Sequence, residues 1–387
     1  METQDIIFKI EKSIWQSFNE IDNIGLYTGL TGYILFYDSL FEAYKLEEYE
    51  NKLLTAISKT NELIEYTEST MSLSSGMAGY GLTLLRLHYN DLGLEEEYLE
   101  NIDNFLVKDF EQLISEKKYE FMHQSMGIAM YFIERYKKNQ DIKIIEILTN
   151  FSERLITEIN NDFKEVLAQY DKNRGKHYSL GLAHGVASYM NFLIYIKSNL
   201  PNLKLEINKA LQLCTDFLIS QRKYDNESKQ YYANVISAET DNHLPSRLSW
   251  CQGDLGISNA LYNAGIYLNN KALTDEAEYL MNQSAKLNFT ESGVKDFGLC
   301  HGSSGVIIQL YLASLKYKIN YDKEIEYWFE IMRKQTNNYE EYNWYNNVTE
   351  SYFPVSNLLV GKVGLGLVIL TVNNKITTKW LEVFNLL

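Results

Sequence analysis

Apolar and polar positions fall into a pattern that repeats seven times along this chain. Each repeat begins with apolar and charged residues interspersed at helical spacing, as in Glu95-Glu96-Glu97-Tyr98-Leu99 running on to Phe105-Leu106-Val107. A glycine motif follows. After it comes a nearly unbroken apolar stretch, such as Tyr33-Ile34-Leu35-Phe36-Tyr37 or Val306-Ile307-Ile308-Gln309-Leu310-Tyr311-Leu312. The first kind of stretch predicts a helix with one solvated face, and the second predicts a buried helix.

The motif is Gly-x-x-Gly at Gly29/Gly32, Gly76/Gly79, Gly253/Gly256, Gly302/Gly305 and Gly361/Gly364, with degenerate copies at Gln124/Gly127 and Gly185/Ser188. Successive first positions are 47, 48, 61, 68, 49 and 59 residues apart. The shorter intervals hold two helices of roughly 12–16 residues with their connections; the longer ones leave room for insertions. Of the 21 glycines, 17 lie in or beside these motifs, a clustering that argues for a repeat architecture. Pro201, Pro245 and Pro354 all fall outside the expected helices. The expectation is an all-α fold of seven helix pairs, forming a single domain over residues 1–387. Periodicity does not choose between an open solenoid and a closed ring.

Composition narrows the function. With 51 acidic and 36 basic residues the net charge is −15, which argues against nucleic acid and anionic membranes as partners and favours solubility. The start, Met1-Glu2-Thr3-Gln4-Asp5, does not read as a signal peptide, and no apolar stretch reads as a membrane span. Three cysteines in such a chain point to the reducing cytoplasm and to thiolate chemistry.

Two of those cysteines stand in matching contexts, Trp250-Cys251-Gln252-Gly253 and Leu299-Cys300-His301-Gly302. Two soft thiolates and one imidazole suit zinc, and three protein ligands leave a fourth tetrahedral position for water or substrate. A purely structural zinc would want a fourth ligand. Cys214, the one spare cysteine, fits the apolar face of an outer helix. His123 and His177 read as structural residues, and Asp254 as an ordinary acid in the first turn of a helix.

Together with Gly181-Leu182-Ala183-His184-Gly185, these strings resemble the three signatures of the lanthionine synthetase C-like family, the lanthipeptide cyclases. The resemblance spans the chain and implies an α/α toroid of seven inner and seven outer helices. It implies one zinc per chain on Cys251, Cys300 and His301, with His184 in acid–base chemistry and Arg247 in the active site. Aligned on Gly127, Glu120 takes the place of a family aspartate. Gln252 stands where the family usually has tyrosine, and Gln124 where it has glycine.

The activity so implied is Michael-type addition of a peptide cysteine thiol to dehydroalanine or dehydrobutyrine, closing a thioether ring. At pH 7 only about 3% of a free thiol is thiolate, so supplying thiolate is worth about 2 kcal/mol. Holding it beside the alkene can contribute roughly 7–11 kcal/mol more. Arg247 is the candidate stabiliser of the enolate, and His184, with Glu120, the candidate proton source. The expected partners are a dehydrated precursor peptide, a separate dehydratase and an exporter complex; nothing before Ile24 reads as a dehydratase domain. A prenyltransferase-like zinc site and a helical-toroid glycosidase fit the motifs poorly. The alternative from another class is a zinc-containing scaffold that binds peptide or glutathione, or adds thiols to stray dehydroresidues.

Overall fold

The computed structural model describes residues 3–66, 70–89, 93, 95–240 and 242–387. The first seven helices are α1 (Thr3–Gln16), α2 (Leu30–Tyr44), α3 (Glu47–Tyr66), α4 (Met77–Arg86), α5 (Glu96–Ser115), α6 (Ser125–Asn139) and α7 (Ile142–Leu167). Strands β1 (Gln169–Asp171) and β2 (Gly175–Ser179), helices α8 (Val186–Asn199) and α9 (Asn208–Ser220), and strands β3 (Val235–Ser237) and β4 (His243–Leu244) come next. Then follow α10 (Asp254–Leu268), α11 (Lys271–Ala285), the short α12 (Phe289–Ser292), α13 (Ser303–Tyr317), α14 (Asp322–Gln335), β5 (Asn343–Asn346), β6 (Ser351–Pro354) and α15 (Lys362–Val372).

All seven motif positions become helix N-caps: Gly29, Gly76, Gln124, Gly185, Gly253, Gly302 and Gly361 precede α2, α4, α6, α8, α10, α13 and α15. These are the apolar helices, and α15 is buried along nearly its whole length. The helices before them are amphipathic. In α14 only Ile325, Trp328 and Met332 are buried, at helical spacing along one stripe. Each large side chain buried this way contributes roughly 1.5–3 kcal/mol.

The second glycine of the motif has a packing cause. A Cβ on Gly79 would lie 2.1 Å from the Leu73 carbonyl oxygen, and one on Gly364 2.2 Å from that of Leu358. Gly32, Gly127 and Gly256 meet the carbonyl six residues earlier in the same way. The loop before each of these helices thus folds back onto its first turn, and a side chain there would push the two apart.

Two small antiparallel sheets, which the hydrophobic pattern did not mark, explain the long intervals. One has strand order β1-β2-β3-β4, the other pairs β5 with β6. The strands fall in the 61-, 68- and 59-residue intervals, and among the described residues the 47-, 48- and 49-residue intervals hold helices and no strand.

The chain divides into two compact units, one of residues 1–148, 297–299 and 335–378, the other of residues 149–296, 300–334 and 379–387. In the first, residues two places before successive N-caps are joined through the main chain. Leu359 N donates to Tyr27 O (3.0 Å), Tyr27 N to Ser74 O (2.9 Å) and Ser74 N to Met122 O (3.0 Å). No helix among the described residues is long and apolar enough to cross a membrane.

Candidate metal centre

The second unit carries the same main-chain linkage, and it brings the cysteines together. Ala183 N donates to Cys251 O (3.4 Å), and Cys251 N to Cys300 O (3.4 Å), which also accepts from Trp250 N (2.9 Å). Cys251 and Cys300 both stand two residues before their caps, so they are consecutive links. Two further contacts fix the loops. The buried Trp250 indole donates to Phe384 O (2.9 Å) and meets the Phe384 ring edge-on. A Cβ on Gly181 would lie 2.1 Å from Cys251 O, so glycine there lets the His184 loop lie directly on the Cys251 peptide.

Ligand atoms of Cys251, Cys300 and His301 all lie within 4.8 Å of one another. Tetrahedral zinc with Zn–S near 2.3 Å places its donors about 3.8 Å apart, so this set fits the ion after a shift of about an ångström. Both cysteines are half-buried and His301 is buried. His301 Nε2 is 3.7 Å from a carboxylate oxygen of the buried Asp296, the kind of outer partner that orients a ligating imidazole. The two thiols interact. The hydrogen bond between them holds Cys251 well below the ordinary thiol range and pushes Cys300 well above it. His301 and Ser249 add to the first effect, whereas the Arg247 charge favours the Cys300 thiolate and Asp296 opposes it.

His184 is half-buried immediately before the α8 cap, with its carbonyl accepting from Gln169 Nε2 at 2.6 Å. Arg247 belongs to the same unit, and its charge reaches Cys300. Glu120 belongs to the first unit. Its carboxylate accepts from Met122 N (2.8 Å) and His123 N (2.7 Å) in the loop leading to α6. Gln252, beside Cys251, has a buried side-chain oxygen with no hydrogen-bond partner among the described residues.

The residues read as structural have structural partners. His177 Nδ1 is 3.0 Å from Gly175 O, and Cys214 is fully buried on α9, where burial pushes its thiol up to about 12. Asp254 does more than begin a helix. Its buried carboxylate accepts from Tyr231 N (2.8 Å) and Tyr232 N (3.0 Å), with burial raising it to about 7 against those bonds.

The lanthionine synthetase C-like protein family model matches residues 20–385. The chain belongs to that family. Nisin biosynthesis protein NisC from Lactococcus lactis subsp. lactis is 27% identical over 318 residues, covering 74% of this chain and 73% of that one. The solved structure of nisin cyclase matches with a TM-score of 0.78 at 21% identity, over 99% of this chain and 98% of that one. The all-α toroid expected from the resemblance stands on that likeness.

Membership in the lanthionine synthetase C-like family gives the frame in which further residues stand out. His123, His184 and His301 all occupy the position directly before a cap, where the sequence singled out only the last two. His123 Nδ1 is 2.8 Å from Ser74 Oγ. Counting back from each motif start finds such positions. Asp296 and Ser249, 3.7 Å from the Cys251 sulfur, have no comparable signal, because only the folded loops bring them to the ligands.

Proposed function

We propose that this chain is a lanthionine-forming cyclase working on a dehydrated peptide. The observation that carries the reading is the cluster of two thiols and an imidazole on loops locked together through Ala183, Cys251 and Cys300. Cys251, Cys300 and His301 would hold one zinc ion per chain. Zinc bound there lets a substrate thiol give up its proton at neutral pH.

The remaining steps fall to side chains. The peptide sulfur bonds to the β-carbon of the dehydroresidue, the alkene electron pair moves onto the neighbouring carbonyl as an enolate, and the α-carbon takes up a proton. No atom is lost. Arg247, whose charge already favours an anion at Cys300, stabilises the enolate. His184 delivers the proton, since imidazole exchanges protons near neutral pH. Glu120 is the third acid–base group, its carboxylate fixed by two loop N–H bonds. We take residues 1–387 as one functional domain, supported by a family match over residues 20–385. We place it in the cytoplasm, where thiols stay reduced, supplied by a separate dehydratase and associated with an exporter.

The test is cyclisation of a dehydrated peptide by the purified, zinc-loaded protein. Mass spectrometry after thiol alkylation should show the cysteine consumed without loss of mass. Capture of glutathione with no ring formed would turn the reading to thiol addition on stray dehydroresidues. Glu120→Gln should lower the cyclisation rate by about 10²-fold or more and leave zinc content unchanged. Wild-type turnover by that variant would remove Glu120 from the chemistry.

A further inference from the structure

His301 supplies the nitrogen of the proposed metal set, and an imidazole has two nitrogens to offer. Its Nε2 lies 3.7 Å from Asp296 Oδ2, on a side chain with no exposed surface. The same ring hydrogen-bonds the Cys251 thiol. The two ring nitrogens point away from each other, and which one meets a metal is set by what the other one bonds. Asp296, Arg247, both cysteines and His301 all belong to the second unit.

The carboxylate is held in place from both ends of its loop. Leu248 N donates to Ser292 O (2.9 Å), and Ser303 N, at the start of α13, donates to Asp296 O (3.0 Å). Between them Gly293 has a φ of +71° and sits so close to Arg247 that a Cβ there would lie 2.9 Å from the Arg247 Cβ. Glycine thus lets residues 292–296 lie directly on the segment that carries Arg247. Packing alone gives no reason to bury a carboxylate at this point, since a charge taken out of water is costly unless it is paired and hydrogen-bonded.

Asp296 also bears on the sulfurs. Its charge opposes a thiolate at Cys300, where Arg247 favours one. Zinc with two thiolates and a neutral imidazole is formally neutral. A carboxylate behind the histidine adds negative charge without taking a coordination position.

We propose that Asp296 is a positioning residue that accepts a hydrogen bond from His301 Nε2, presents Nδ1 as the ligating nitrogen, and makes that nitrogen a stronger donor. A more basic imidazole holds zinc more tightly. It also draws less charge from a thiolate bound beside it, which leaves the peptide sulfur the better nucleophile. The inference rests on the zinc-cyclase reading and goes beyond it in naming the ligating atom and the group that tunes it.

The test is made on the metal before any peptide is added. Competition with a chromophoric chelator gives the zinc affinity of wild type, Asp296→Asn and Asp296→Ala. Asparagine keeps an oxygen acceptor of the same shape and drops the charge; alanine loses both. Affinity should fall by about tenfold in Asp296→Asn and by about 10²-fold in Asp296→Ala, the span expected when an outer partner of a ligand is lost. The fold should survive, because the Ser303 bond is to the Asp296 main chain; should alanine fail to fold, asparagine carries the comparison. Long-range proton–nitrogen NMR is read on zinc-loaded wild type labelled in its six histidines. One imidazole should be metallated at Nδ1 and protonated at Nε2, assigned by its loss in His301→Ala. With zinc saturating, Asp296→Asn should still cyclise about tenfold more slowly. Metallation of His301 at Nε2, or equal zinc affinity in wild type and variants, overturns the proposal and leaves the ligand set standing. Wild type that binds no zinc overturns both. Ordered affinities and Nδ1 metallation in a protein that closes no ring support the role of Asp296 and defeat the cyclase reading instead.

Discussion

Cys300→Ala should strip the protein of its zinc and abolish cyclisation while leaving the helices intact. Metal analysis of the purified variant should fall from one ion per chain towards zero, since two remaining protein donors hold zinc poorly. The main chain has little reason to move. The Cys300 carbonyl, which accepts from Trp250 N and Cys251 N, survives the substitution, and Trp250 keeps its bond to Phe384. Far-ultraviolet circular dichroism should match wild type, because packing of the apolar helices forms the core. Alanine also removes the thiol that holds Cys251 below its ordinary range, so in the metal-free state Cys251 should become harder to alkylate at neutral pH. A Cys251→Ala/Cys300→Ala protein that still carried stoichiometric zinc would defeat the ligand assignment.

His184→Asn should leave the zinc in place and lower cyclisation by about 10²–10⁴, the range for a lost acid–base group. Asparagine keeps similar bulk and cannot shuttle a proton near neutral pH. The Gln169 bond is to the His184 carbonyl and is preserved, so the loop should stay on Cys251. The loss should appear in kcat more than in KM if proton delivery follows binding. Loss of zinc with His184 would put that imidazole among the ligands and make the three-donor set wrong.

The helix pairs were legible because burial imposes a period on sequence. An apolar stretch such as 306–312 has few alternatives to a buried helix, and Gly79 or Gly364 records a carbonyl pressed against the backbone. The clustering of Cys251, Cys300 and His301 was legible because cysteine and histidine are scarce in this chain. The strands were not, since β3 and β4 are three and two residues long, too short to show alternation. Asp254 was underestimated for a related reason. Its position marks a helix start, but its partners lie 22 and 23 residues away, in a loop whose path no local pattern encodes. Glu120 could be aligned by its distance from Gly127, yet its two bonds to loop N–H groups depend on a turn that spacing does not reveal.

The main-chain linkage through Ala183, Cys251 and Cys300 makes reactive and inert metal chemistry close neighbours in sequence space. Ala183 stands to Cys251 much as Cys251 stands to Cys300, and it is buried. Ala183→Cys should hold zinc more tightly and lose cyclisation, the result expected of a fourth protein donor that closes the coordination shell. Unchanged zinc content and turnover in that variant would leave Ala183 with a packing role alone.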